Sequence, residues 1–265
     1  MSTAVGGLFA MAAAIGIGRF VYTPILPPMV AALDLSKSQA GLIASANFLG
    51  YLIGALLAAM PTLRGSRRRW LLGSLVLSAA TTAAMGLSQS LLSFLTLRLV
   101  GGAASAFVLI MASTLVLEHL ATTGRSFLSA VHFAGVGGGI AVSAAMVAGL
   151  LGLGQSWRVL WLTSGALSLG ALLAVAALVP ASATPAKPAA GTAPGVVDAS
   201  LRRLVIAYGL FGFGYIITAT FLVAIVRMTP AIRALEPVIW VVFGLAAVPS
   251  VAMWARIAAS LGSAA

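Results

Sequence analysis

Residues 91–117 read LLSFLTLRLVGGAASAFVLIMASTLVL and carry a single charge, Arg98. The hydrocarbon core of a bilayer is about 30 Å thick, and about 20 apolar residues in α-helix span it. The run is rich in Leu and Ala and lacks the strict alternation of a lipid-facing barrel strand, so it reads as a transmembrane helix. Working outward, comparable runs lie near 4–28, 39–60, 70–88, 127–152, 157–179, 203–226 and 237–256. The fold class that follows is an all-α membrane protein with about eight transmembrane helices, each satisfying its own backbone in lipid.

The composition agrees. Of 265 residues, 61% are hydrophobic and 7% charged, whereas a water-soluble domain needs about 25% charged residues to cover its surface. The net charge of +11 does not make a nucleic-acid binder. Outside Arg67, Arg68 and Arg69 the cations stand singly between apolar runs, as flanks of membrane helices do, and not on one basic face. There is no cysteine, which removes disulfides and thiolate chemistry together. Met1 to Phe20 has no Lys or Arg ahead of its apolar stretch, so it reads as an uncleaved first span. With the N-terminus cytoplasmic, Arg64, Arg67, Arg68, Arg69, Arg125, Lys187, Arg202, Arg203 and Arg256 fall inside, against Lys37, Arg158, Arg227 and Arg233 outside. That bias orients the chain with both ends in the cytoplasm, in a cytoplasmic (inner) membrane.

Residues 181–200, ASATPAKPAAGTAPGVVDAS, are too polar and too broken by proline to span. They divide the chain into a six-helix bundle at 1–180, a central cytoplasmic linker at 181–202, and two helices of a second, incomplete bundle at 203–265. Gly16, Gly18 and Arg19 in the first span have counterparts in Gly212, Gly214 and Tyr215 in the seventh. Phe48-Leu49-Gly50 and Phe243-Gly244 echo one another more weakly in the second and eighth. Parallel repeats of six helices about a central linker are a known plan of secondary transporters.

Two cations fall inside the spans, Arg19 and Arg98. A charge at that depth costs about 2.5 kcal/mol or more and faces a cavity or a partner, unless it snorkels to the headgroups. Tyr22 and Thr23 beside Arg19 favour a polar cavity. Gly101 and Gly102 after Arg98 let another helix approach, and pairing of Arg98 to a backbone carbonyl for packing alone is the plain alternative. His132 is the one side chain within the predicted spans that titrates near neutrality, although a histidine near a helix end is often merely interfacial. Asp34, Glu118, Asp198 and Glu236 all lie in predicted loops or at span ends. An interior with two arginines and no carboxylate favours an anionic ligand over a cationic drug. Gly135, Gly137, Gly138 and Gly139 serve close helix packing or a sliding hinge, and Gly50 with Gly54 serves packing. No nucleophile–base pair, metal cluster or phosphate loop is legible, so no enzyme, cofactor or metal site is expected.

Four blocks carry a resemblance to a known family: Gly16–Pro24 (GIGRFVYTP), Ala44–Tyr51 (ASANFLGY), His132–Gly137 (HFAGVG) and Tyr208–Tyr215 (YGLFGFGY). In this order they resemble the YbfB/YjiJ-like branch of the major facilitator superfamily. The resemblance implies a major-facilitator-type bundle of twelve helices, of which this chain supplies about eight, so missing C-terminal helices or a longer chain are expected as partners. It implies a substrate cavity at the centre, with Arg19, Tyr22, Thr23, Asn47, Tyr51, Arg98, His132, Tyr215 and Thr218 as candidates. Arg98 with Gly102 is similar to an arginine–glycine motif implicated in proton coupling, and His132 is the second coupling candidate. Arg67, Arg68 and Arg69 stand where the superfamily carries a cytoplasmic gate motif. The chain departs from that motif, because Pro61-Thr62-Leu63 occupies the region and the usual acid is lacking. The proline of the antiporter fifth-helix motif is lacking too.

The function expected is secondary active transport of a small organic solute, anionic or weakly acidic, by alternating access, with the bilayer and a coupling proton as further partners. Two alternatives stay open on sequence: a non-transporting truncated remnant or membrane-embedded partner protein, and a cation or drug–proton exporter.

Overall fold

The computed structural model describes residues 1–60, 63–180 and 199–261. Among these, eight helices are long and apolar enough to cross a membrane, and no strand occurs. We number them α1 (Ser2–Leu33), α2 (Lys37–Ala58), α3 (Arg67–Leu87), α4 (Leu91–Thr122), α5 (Ser126–Gly152), α6 (Trp157–Leu178), α7 (Ala199–Met228) and α8 (Pro230–Ile257). The protein is all-α and multi-pass. Residues 181–198 of the expected linker, with Lys187 and Asp198, lie outside the described residues, as do Pro61 and Thr62. α7 starts at Ala199, a turn earlier than expected, so Ala199 to Arg202 are helical.

Short polar signals punctuate the chain. Ser36 and Gln39 form a reciprocal capping box at the start of α2, with bonds of 3.1 and 2.9 Å. Ser90 caps α4 by accepting from the Ser93 amide. Asp34, at φ 50°, ends α1 in a left-handed residue.

Close backbone approaches fix the topology. A side chain on Gly50 would collide with the Leu99 carbonyl, and one on Gly54 with the Ala103 backbone. These contacts advance in the same sense, so α2 and α4 run parallel. Gly135 against Leu8 and Gly139 against Ala12 make α5 parallel to α1 in the same way. Gly165 lies against Ala79 and Ala83 while Gly86 lies against Arg158 and Leu162, so α3 and α6 are antiparallel. These three directions are those of helices that alternate along the chain, and small residues occupy the crossings because lipid offers no hydrophobic drive to association.

The glycine run of α5 divides between two neighbours. Gly135 and Gly139 face α1, and Gly137 meets α8, where Gly244 packs back on Gly137 and Ala141. Gly138 has open space beside it. The packing role expected for Gly135, Gly139, Gly50 and Gly54 is what the backbone shows. The repeat counterparts Gly212 and Gly214 have no such neighbour, so the two stretches share sequence but not packing.

α7 and α8 meet the first six helices mainly in the halves remote from Met1. Ala219, Thr220, Val223 and Val226 of α7 are buried, and Thr23 donates to the Ala219 carbonyl at 3.4 Å. Trp240 of α8 is buried beside Phe20. The first half of α7, from Leu201 to Tyr215, stands exposed. α7 is therefore left largely uncovered toward the end of the molecule that carries Met1.

Candidate functional site

The site begins with a break in α1. Ser2–Met11 is α-helical, Ala12–Ile17 is wound as a π-helix, and Gly18 to Val21 form turns before the helix resumes at Tyr22. Within the π segment and its exit, Gly18 N–H bonds the Ala13 carbonyl and Phe20 N–H the Ile15 carbonyl, both five residues back. Proline explains the far side: Pro24 has no N–H to give to the Phe20 carbonyl, which takes the Thr23 amide instead. That shift leaves the carbonyls of Gly18 and Arg19 without their usual partners. Pro24, Pro27 and Pro28 do not end the span; the helix continues past them to Leu33.

Arg98 of α4 supplies the lost donors. One terminal nitrogen donates to the Gly18 carbonyl at 2.9 Å and the other to the Arg19 carbonyl at 3.1 Å. The side chain is 5% exposed, with its guanidinium carbon 5.1 Å from the Tyr22 ring centre and 6.0 Å from Trp161. Asn47 of α2 donates to the Arg98 carbonyl at 3.0 Å. Tyr22 turns its hydroxyl away to the Ala40 carbonyl at 2.8 Å. Arg98, Tyr22 and Asn47 are thus one buried cluster that closes the break.

Arg19 leaves the same break in another direction. Its guanidinium carbon lies 4.5 Å from the Tyr51 ring centre, 4.9 Å from Phe48 and 5.5 Å from Phe20, a set of cation–π contacts. Its Nε is buried without a hydrogen-bond partner. No acidic group pairs with it among the described residues, where the two ion pairs are Arg67–Glu118 and Arg227–Glu236. The residue as a whole is only partly buried. Tyr215 of α7 lies in the neighbourhood of Arg19 and Tyr51. The register is telling. Thr23 and Ala219 are 196 residues apart and in contact, and the same offset carries Arg19 to Tyr215, so the repeat counterparts stand side by side.

The other expected residues lie elsewhere. Thr23 is bonded to Ala219, and exposed Thr218 reaches only the Gly214 carbonyl of its own helix. His132 is fully buried near the Met1 end, where its Nε2 is 3.1 Å from the Ser113 hydroxyl and its Nδ1 has no partner. The Gly7 backbone lies against that ring so closely that a side chain there would overlap it.

The basic cluster is divided among three tasks. Arg67 Nη1 donates to both carboxylate oxygens of Glu118 of α4, at 2.9 and 3.0 Å. Arg68 donates to the Val179 carbonyl at 3.0 Å and to the Ala176 carbonyl, capping the end of α6. Arg69 is exposed. The expected span closes at 117, with Glu118 at its end; the helix runs on to Thr122, and Glu118 supplies an acid to Arg67 from α4, although the gate motif's own acid is lacking. Sequence reading did not name Phe48, noted only as part of the repeat and of the Ala44–Tyr51 block, or Ser113 as site residues.

A family model described as "Uncharacterised MFS-type transporter YbfB" matches residues 11–265. The chain belongs to that family. Membership makes it a membrane transporter in the general sense, and the expected resemblance and fold class hold. Among curated proteins, no match reaches significance. Within the family frame, the break in α1 and the aromatic rings around Arg19 mark the candidate site of this YbfB-type chain.

Proposed function

We propose that the protein is a secondary active transporter of a small organic anion or weakly acidic solute, working by alternating access in the cytoplasmic membrane with its N-terminus inside. The observation that carries this reading is Arg19: a cation at mid-span, unpaired by any acid among the described residues, with a buried Nε that meets no acceptor and a side chain held only against aromatic rings. A buried cation without an anion is costly, and a solute carboxylate would relieve that cost. A cationic drug has no carboxylate partner in the middle of the described spans.

The divergence of α7 from α1 toward the Met1 end supports a state open on that side. The Gly137–Gly244 crossing supports relative motion of the two parts, since bare backbones can slide past one another. Arg98 is assigned to holding the α1 break, and His132 with its unpartnered Nδ1 is the residue proposed to take a coupling proton. Arg67 and Arg68 form the proposed cytoplasmic latch.

The test is uptake of labelled organic acids into proteoliposomes containing the whole chain. Arg19→Ala should lower uptake roughly 10- to 100-fold, the worth of one charge-assisted contact of about 1.5–3 kcal/mol. Unchanged flux in that variant removes Arg19 from the solute path.

A further inference from the structure

The surroundings of Arg19 say more about its ligand than the charge does. Around one guanidinium the fold gathers aromatic rings from two helices, Phe20 of α1 and Phe48 and Tyr51 of α2, and Tyr215 of α7 stands one turn from the Thr23–Ala219 contact beside them. On α7 the rings continue as a ladder. Phe211 stacks on Tyr215 with centres 5.3 Å apart and planes 24° apart, and Tyr208 follows at 6.3 Å from Phe211. Positions 208, 211 and 215 share one helix face. Ala219, one turn beyond Tyr215 on the same face, accepts the Thr23 hydroxyl, so the face looks toward the first helices and not only toward lipid. Its members are 74%, 64% and 40% exposed. Aromatic surface is thus available directly in front of a cation.

Such walls are selective in two respects. Ring faces carry negative potential, which suits the Arg19 guanidinium and repels a free carboxylate from every direction except along the guanidinium edge. An anion must therefore enter with its charge on Arg19 and the remainder of its body between the rings. Flat ligands gain from offset stacking there, whereas puckered ones of the same volume gain only burial.

We infer that the solute is an aromatic carboxylate, its carboxylate on Arg19 and its ring between Phe48–Tyr51 of α2 and the Tyr208–Phe211–Tyr215 ladder of α7. The inference rests on the anion-transport reading above and narrows it to a substrate class. The ring wall does not depend on whether the solute is driven by a proton.

Three probes separate the two claims: benzoate, cyclohexanecarboxylate of equal charge and similar volume, and uncharged benzamide. Binding is measured by titration calorimetry on the whole chain in lipid nanodiscs. Benzoate should bind roughly 3- to 10-fold tighter than cyclohexanecarboxylate per ring engaged, and benzamide more weakly still. Tyr215→Leu should narrow the benzoate preference, and Tyr215→Phe should restore it, which a merely structural role for Tyr215 does not require. Equal binding of benzoate and cyclohexanecarboxylate overturns the aromatic inference and leaves the anion reading standing. Benzamide binding as tightly as benzoate, or no binding by either carboxylate, overturns the anion reading with it.

Discussion

Arg98 donates to the carbonyl oxygen of Gly18 at 2.9 Å, so a residue of the fourth helix completes the hydrogen bonding of the first. The neighbouring Arg19 carbonyl takes the second arm. A broken helix in a bilayer must recover its orphaned carbonyls from somewhere, since no water is at hand. Here a planar, permanently charged fork does so from one side chain.

Removing that fork should therefore be expensive. Arg98→Ala leaves two buried carbonyls unpaired at about 1–3 kcal/mol each, and Arg98→Lys recovers only part of this because a single ammonium cannot present two parallel donors. Thermal unfolding in detergent should rank wild type above Arg98→Lys above Arg98→Ala. Equal midpoints for all three would mean that α1 holds its break unaided.

Neighbouring glycines of α5 should respond oppositely to the same change. Gly137→Val places a branched side chain where a Cβ alone would stand 2.6 Å from the Gly244 carbonyl oxygen, forcing α8 away. Gly138→Val meets nothing within 4 Å. Size-exclusion profiles of tagged variants should show loss of the monodisperse peak for the first and retention for the second.

At the Met1 end, Gly7→Ala should displace the His132 ring, and its damage should shrink when His132 is replaced by Ala, because the smaller residue vacates the colliding volume. Additive losses in stability from the two changes would argue against this contact.

The Arg67–Glu118 pair is part-exposed on both sides, at 37% and 42%, so its contribution to stability should be modest, about 0.2–1 kcal/mol in a double-mutant cycle and smaller at high salt. Its place between the first turn of α3 and the last turns of α4 points to positioning of the one helix against the other. A coupling well above that range would mark the pair as shielded from water in another conformation.

Much of the fold was legible because membrane helices announce themselves by length and polarity, and the spans read near 91–117 and 157–179 coincide with α4 and α6 to within a few residues. Arg19 and Arg98 stood out for the same reason: a cation in an apolar run is costly enough to need explaining. Their difference was not legible. Which arginine meets a carbonyl and which meets aromatic rings depends on the turn at Gly18 to Val21, which arises from several weak local preferences, and on how α2 and α4 cross. Glu118 escaped notice because a helix end is the least certain part of any span. A site role for Phe48 or Ser113 escaped it because an apolar ring or a small hydroxyl in a membrane helix carries no cost that would flag it.

Arg68 has a mechanical consequence. By gripping the carbonyls of Ala176 and Val179, it moors the last turn of α6 to the first turn of α3, just ahead of the chain that leads away to α7. Tension on that chain would be borne by α3 as well as by α6, and the first six helices would take up the load as one block instead of unravelling from their trailing edge.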